Sequence, residues 1–187
     1  MDAALTEKDR YTYSDYCNWP EDEHWELING AAYAKAAPSL GHHSVVKKLF
    51  RQLDAFLADK PCEVFFAPVA VRLDTGAEDT TVVEPDIFVV CDESKIKDGK
   101  SVVGAPDFVA EIMSPSTAKH DRVTKLNLYR RSGVREYSIV DPDSKIVAAH
   151  TLHGDKNYVI RAYDEQDAAV PVEVLDGCLI DLTDVFE

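Results

Sequence analysis

Two stretches of the chain repeat their apolar residues at a helical period. From His43 to Ala58 the apolar positions are Val45, Val46, Leu49, Phe50, Leu53, Phe56 and Leu57. That i, i+3, i+4, i+7 spacing predicts a helix with one face on a core. Ser39 is placed to cap it and Lys60-Pro61 to end it. A second helix is predicted from the caps Ser114, Ser116 and Thr117 to about Ser132, with Val123, Leu126 and Tyr129 inward and Gly133 as its stop. Elsewhere the pattern is strand-like. Trp25–Ile28 is followed by the turn pair Asn29-Gly30, and residues 31–35 return as its hairpin partner. Further strands are predicted at 63–73, 82–90, 108–113, 136–140, 146–152, 158–163 and 172–175, and 179–186 closes the chain. Segment 91–106 reads as a loop with a helical turn, and Asp141-Pro142-Asp143-Ser144 as a turn.

Helix, several strands, helix, then strands predicts an α/β (α+β) architecture, a mixed sheet flanked by helices. A length of 187 residues fits one domain, with residues 1–20 as an aromatic N-terminal arm. No apolar run approaches the roughly 20 residues that span a bilayer. The N-terminus has no signal-peptide pattern, so the expected location is cytoplasmic, with no membrane partner.

Charge changes this picture. The net charge of -14 opposes a nucleic-acid partner, because phosphate binding ordinarily needs a basic face. Between Ser114 and Arg135, however, six bases (Lys119, Arg122, Lys125, Arg130, Arg131, Arg135) face one acid, Asp121, a local charge of +5. The four cysteines form no CxxC pair, so no zinc knuckle is expected. Cys62 and Cys91 lie among apolar residues and read as small core residues, not a disulfide.

Two apolar runs each contain a carboxylate: Asp86 in VVEPDIFVV and Glu111 in FVAEIM. Burying an unpaired carboxylate costs several kcal/mol or forces it neutral. A shared divalent cation is one reason to keep both; a strand-start residue and an ion pair with Arg122 is the plainer one. Two carboxylates and a following lysine, Lys125, are the parts of a phosphodiester-cleaving site. Asp107 and Asp141 read as loop and turn residues, Ser114 and Ser116 as caps, and His120, His150 and His153 as surface residues.

These stretches resemble a known family. WELING, PSLGHHSVV, EPDIFVV, GAPDFVAEIMSPST, the Asp121/Lys125 pair in HDRVTKLNLY, SGVREYSIVDP and LIDLTDVF are similar to a bacterial restriction-endonuclease-like family, formerly a domain of unknown function, in the PD-(D/E)xK nuclease superfamily. The resemblance covers about residues 20–187 and is most specific over 106–142. It implies a restriction-endonuclease-like mixed β-sheet flanked by helices, hydrolysis of DNA with Mg²⁺ (or Mn²⁺), and a homodimer. Carried over by position, Asp86 and Glu111 hold the metal, with the Ile112 carbonyl and Glu26 as further ligands. His42 and Arg122 are expected at substrate. The pattern's lysine, two residues after the glutamate, is replaced by Met113; Lys125 on the next helix is its expected substitute, oriented by Asp121. Two other functions stay open: a non-catalytic interaction protein on the same fold, and a metal phosphohydrolase of small nucleotides.

Overall fold

A computed structural model describes residues 10–20, 23–74, 79–96, 99–115, 117–154 and 157–187. Ser116 and part of the 75–81 loop lie outside the described residues, as do the first nine residues of the expected arm. The first element of the described residues is a short helix α1 (Tyr13–Tyr16), capped by Thr12, whose side chain accepts from the Asp15 N–H. The hairpin β1 (Trp25–Ile28) and β2 (Ala31–Ala34) turns at Asn29 and Gly30, both at positive φ, as a tight two-residue turn requires. Helix α2 (Leu40–Leu57) starts three residues earlier than the periodicity indicates, with Ser39 as its cap, accepting from the His42 N–H.

The run 63–73, expected as one strand, is two: β3 (Glu63–Phe66) and β4 (Ala70–Arg72), in different sheets. The run 82–90 likewise divides into β5 (Val82–Val83) and β6 (Ile87–Val90). Pro68 and Pro85 lie at the two breaks and supply no N–H to a ladder, so the chain leaves one sheet there and joins another. A 3-10 turn (Glu93–Lys95) and β7 (Ser101–Val103) follow, the latter a strand within the expected loop. Then come β8 (Phe108–Ile112), a π-helical turn (His120–Lys125), α3 (Leu126–Ser132), β9 (Glu136–Asp141), β10 (Ile146–Leu152) and β11 (Tyr158–Tyr163). The strand expected at 172–175 lies instead at β12 (Ala169–Pro171), paired with β13 (Leu179–Asp181); α4 (Leu182–Phe186) ends the chain.

One sheet runs β11-β10-β9-β8-β6-β3 and a second β2-β1-β5-β4-β7. β6 and β8 are antiparallel neighbours, with Ile87 opposite Ala110. Alternation along β6 divides its side chains between two cores. Ile87 and Val89 pack with Leu49 and Leu53 of α2 and with the C-terminal elements. Phe88 and Val90 face the other way, with Val71 and Val83 of the second sheet and Leu128 and Tyr129 of α3. The larger sheet is thus covered on both faces.

Two expectations are corrected by local geometry. The inward stripe of the second helix was to be Val123, Leu126 and Tyr129, yet Val123 is 52% exposed while Asp121 and Lys125 are buried. The π-helical turn widens the helix by one residue per turn, and the facing residues change with it. Cys62 and Cys91 are joined in a disulfide. The antiparallel register that sets Glu63 opposite Val90 brings these two residues together one step further along.

Glu136 at the start of β9 is fully buried. One of its oxygens accepts from the Val174 N–H at 3.1 Å and the other, Oε1, has no partner among the described residues. Burial pushes this carboxyl up to about 7. An acid raised in the folded state contributes stability that is complete below its ordinary value of 4.5 and fades as pH rises through about 7. The loss is on the order of 3 kcal/mol. Thermal melts of the wild type and Glu136→Gln from pH 4.5 to 8 are expected to diverge, the variant losing less stability with rising pH. Parallel curves would show that Glu136 titrates normally.

Candidate active site

Four segments deliver charge to one buried place between the sheets. Glu26 comes from β1, Asp86 from the residue before β6, Glu111 from β8, and Asp121 with Lys125 from the π-helical turn. All five are among the buried residues of the protein. On β8, Glu111 alternates away from Ala110 and Ile112, which belong to the α2 core, and so faces α3. The π-helical turn brings Lys125 down onto it.

The lysine ammonium is the hub. Lys125 Nζ stands 2.8 Å from Glu111 Oε1 and 2.9 Å from Glu26 Oε1, with Asp121 Oδ1 at 4.0 Å. Tyr129 O–H donates to the same Glu111 oxygen at 2.7 Å. Glu26 Oε1 also accepts from the Glu84 N–H at 3.1 Å. Lys35 Nζ donates to the Glu84 carbonyl and lies 4.0 Å from Glu26. Asp86 Oδ2 accepts from the Ile112 N–H at 2.8 Å and meets His42 Nε2 at 3.0 Å. The residue after Glu111 therefore fixes Asp86 through its backbone.

One lysine shared among several acids leaves an imbalance. Burial pushes Glu111 up to about 8, and the nearby Asp86, Glu26 and Asp121 charges add to burial against the pull of Lys125. Burial raises Asp121 as well. Glu26 is buried too, but Lys125, with His120 and Lys35 behind it, holds its carboxyl down at about 2. Burial also works against ionised Asp86, but His42, Lys35 and the Ile112 N–H outweigh it and keep this carboxyl below its usual range. Lys125 is itself held charged by Glu111 and Glu26. The cluster is a set of hard oxygen donors with more negative than positive charge, the chemistry that suits a divalent cation. His42 Nδ1 is buried without a hydrogen-bond partner among the described residues, an atom left for a ligand or water.

Among the described residues no three His, Cys, Asp or Glu side chains are gathered to enclose a metal by themselves. Magnesium does not demand such a cage; it is commonly held by one or two carboxylates, waters and substrate phosphate. Asp86 and Glu111 fit that mode.

Of the residues singled out in the sequence, Asp86, Glu111, Lys125, Glu26 and His42 converge. Ile112 reaches the site through its N–H. Arg122 does not converge; it is exposed and lies 3.5 Å from Asp141. Asp107 accepts from the Cys91 N–H and pairs with Arg135, in keeping with a structural role. Two histidines expected at the surface are elsewhere. His150 is buried, its Nδ1 beside the Tyr137 carbonyl oxygen and its ring between Tyr137 and Tyr158. His120 packs its ring, tilted, against Tyr33 and sets Nε2 3.8 Å from Glu26 Oε2. The sequence reading also missed Lys35 and the Tyr129 hydroxyl. Tyr129 was legible as a core position, but an inward tyrosine on a helix beside a buried acid signals a donor as well.

Comparisons with known proteins place the fold and the family. Two proteins of Synechocystis sp., named as uncharacterized proteins sll1609 and slr1290, are 26% and 27% identical to the chain. The first match covers 78% of this chain and 81% of that protein; the second covers 82% and 80%. A crystal structure from Anabaena variabilis, described as "a putative nuclease belonging to DUF820", superposes with a TM-score of 0.75. It covers 94% of this chain and 97% of that one at 20% identity, which establishes a shared fold. A sequence profile described as "Uma2: Putative restriction endonuclease" matches residues 12–183, and the chain belongs to that family.

Proposed function

We propose that this protein is a divalent-cation-dependent nuclease that hydrolyses phosphodiester bonds in DNA. The observation that carries the reading is the convergence of Glu111 and Glu26 on the buried Lys125, with Asp86 bound to the N–H of the residue after Glu111, although position 113, where the superfamily lysine belongs, holds methionine. The family match and the nuclease-like fold support it. Mg²⁺ or Mn²⁺ held by Asp86 and Glu111 would supply a Lewis acid at the phosphate and lower the pKa of water.

The protein's own groups have separable roles in this reading. An ammonium has three donors; two go to Glu111 and Glu26, and the third is the one assigned to the attacking water. Its positive charge offsets the charge that grows on phosphate in the transition state. Glu26 keeps Lys125 protonated and in place. Tyr129 orients Glu111, and His42 with the Ile112 N–H orients Asp86, as the supporting shell of a metal carboxylate does. Lys35 and the basic surface of α3 offset part of the acidic field that a DNA backbone would meet.

The convergence weighs against a non-catalytic scaffold, which has no need of three buried acids around one lysine. A small-nucleotide phosphohydrolase remains the second reading, favoured by the net charge of -14.

Purified wild type with Mg²⁺ or Mn²⁺ is expected to nick plasmid DNA and to leave mononucleotides intact. Glu111→Ala and Asp86→Ala are expected to lose nicking while keeping a cooperative melt. Nicking at the wild-type rate by either variant refutes the assignment; turnover of mononucleotides alone selects the second reading. Lys125→Met is expected to lose about 10²–10³ in rate. It is also expected to lose stability by about 3–5 kcal/mol, because it strands Glu26 and Glu111 without their cation. A stable, active Lys125→Met protein would remove Lys125 from the mechanism.

A further inference from the structure

Beside the charged cluster lies a cavity of about 280 Å³ that the hydrolytic reading does not use. Tyr16, Cys17, Trp19, Pro20, Trp25 and Pro68 line it, with the carboxylates of Glu23 and Glu84 and the ring of His24. The walls are aromatic and fixed to one another. Trp19 packs on Trp25 at 5.7 Å between ring centroids and on Tyr16 at 5.4 Å. Glu84 is buried, and its Oε1 accepts from the Tyr16 hydroxyl at 2.8 Å. Burial beside Glu84 raises the Tyr16 hydroxyl well above its usual range, so it stays a donor.

This cavity joins the charged cluster through Glu84. The Glu84 N–H is held by Glu26, its carbonyl by Lys35, and Asp86 follows two residues on. A group seated against Glu84 is therefore one short step from Lys125. The cavity is acidic, which disfavours a phosphate inside it. It is also small, near the lower end of the roughly 300–1,000 Å³ of organic-ligand sites. Aromatic faces with a carboxylate acceptor match the face and edge of one unstacked nucleobase. Single-stranded nucleic acid is held by such stacking platforms, and unpaired bases are read on their Watson–Crick edges.

We infer that this cavity is a base-binding subsite for one unpaired nucleotide next to the scissile phosphate, stacking it on Trp19 and Trp25 and reading amino-bearing bases through Glu84. Guanine fits best, because its Watson–Crick edge presents two adjacent donors to a carboxylate. Thymine presents one donor between two carbonyl oxygens, which the carboxylate repels. Lys35, between Glu84 and Glu26, is the cation that meets the phosphate attached to the seated base. The inference rests on the nuclease reading for the identity of its ligand.

The chain's two tryptophans both line this cavity, so their indole N–H resonances report directly on it. Deoxyguanosine and thymidine, which carry no phosphate, are titrated into the full chain and into Glu111→Gln. Saturable shifts of both indole signals are expected with deoxyguanosine, equally in the two proteins, and binding of thymidine on the order of tenfold weaker. Trp19→Ala, with Trp25 left as reporter, is expected to weaken deoxyguanosine on the order of tenfold. Glu84→Gln is expected to retain stacking and lose the preference. No saturable shift with either nucleoside, or equal affinities in the wild type, overturns the inference. Base binding without any DNA cleavage would sink the nuclease reading and leave the subsite standing; cleavage without base binding would do the reverse.

Discussion

A single buried ammonium organises this protein's charged interior. Lys125 is 3% exposed and touches carboxylates from two different sheets, Glu26 of β1 and Glu111 of β8. Desolvating a lysine and two acids is costly, and a hydrophobic cluster of equal volume would often be as stable or more so. The arrangement is therefore hard to explain as stabilisation. It also leaves Glu111 raised, with Asp86 and Asp121 close by, so that one further cation would relieve the cluster. Stability has been given up where a hydrolytic site would use the charge.

The rest of the fold holds that ammonium in place. The large sheet, packed on α2 behind and on α3 in front, fixes β6 and β8 side by side. Asp86 is bound to the N–H that follows Glu111, which makes the two acids a single rigid unit. Met113, on the same face of the strand as Glu111, packs into the core between the sheets. An apolar residue stands there, and the ammonium at Glu111 comes from Lys125 of the π-helical turn. The π-helical turn makes this possible, since a regular helix with Val123 inward does not bury Asp121 and Lys125.

Much of the fold was legible in the pattern of residues. The first hairpin was marked by Asn29-Gly30, α2 by its apolar stripe, and the paired β10 and β11 by alternation between turn residues. The strand breaks were written in Pro68 and Pro85 but masked by continuous apolar runs on both sides. The Cys62–Cys91 bridge depended on the register of β3 against β6, which sequence alone does not specify. The site was half legible. Asp86 and Glu111 stood out as acids in apolar strands. Lys125 stood out as the lysine of the helix that follows, whereas Glu26 and His42 came from the family resemblance. Lys35, His120 and the Tyr129 hydroxyl enter through contacts between distant segments, and no local pattern announces those.

The most direct test is a calorimetric titration of Mn²⁺ into the wild type, Asp86→Ala and Glu111→Ala, each alone and with a short DNA duplex. Binding by the wild type, with or without duplex, that disappears in both variants is the expected result. Equal binding by the wild type and Glu111→Ala, or no binding by the wild type even with duplex, would contradict a cation site built on Asp86 and Glu111.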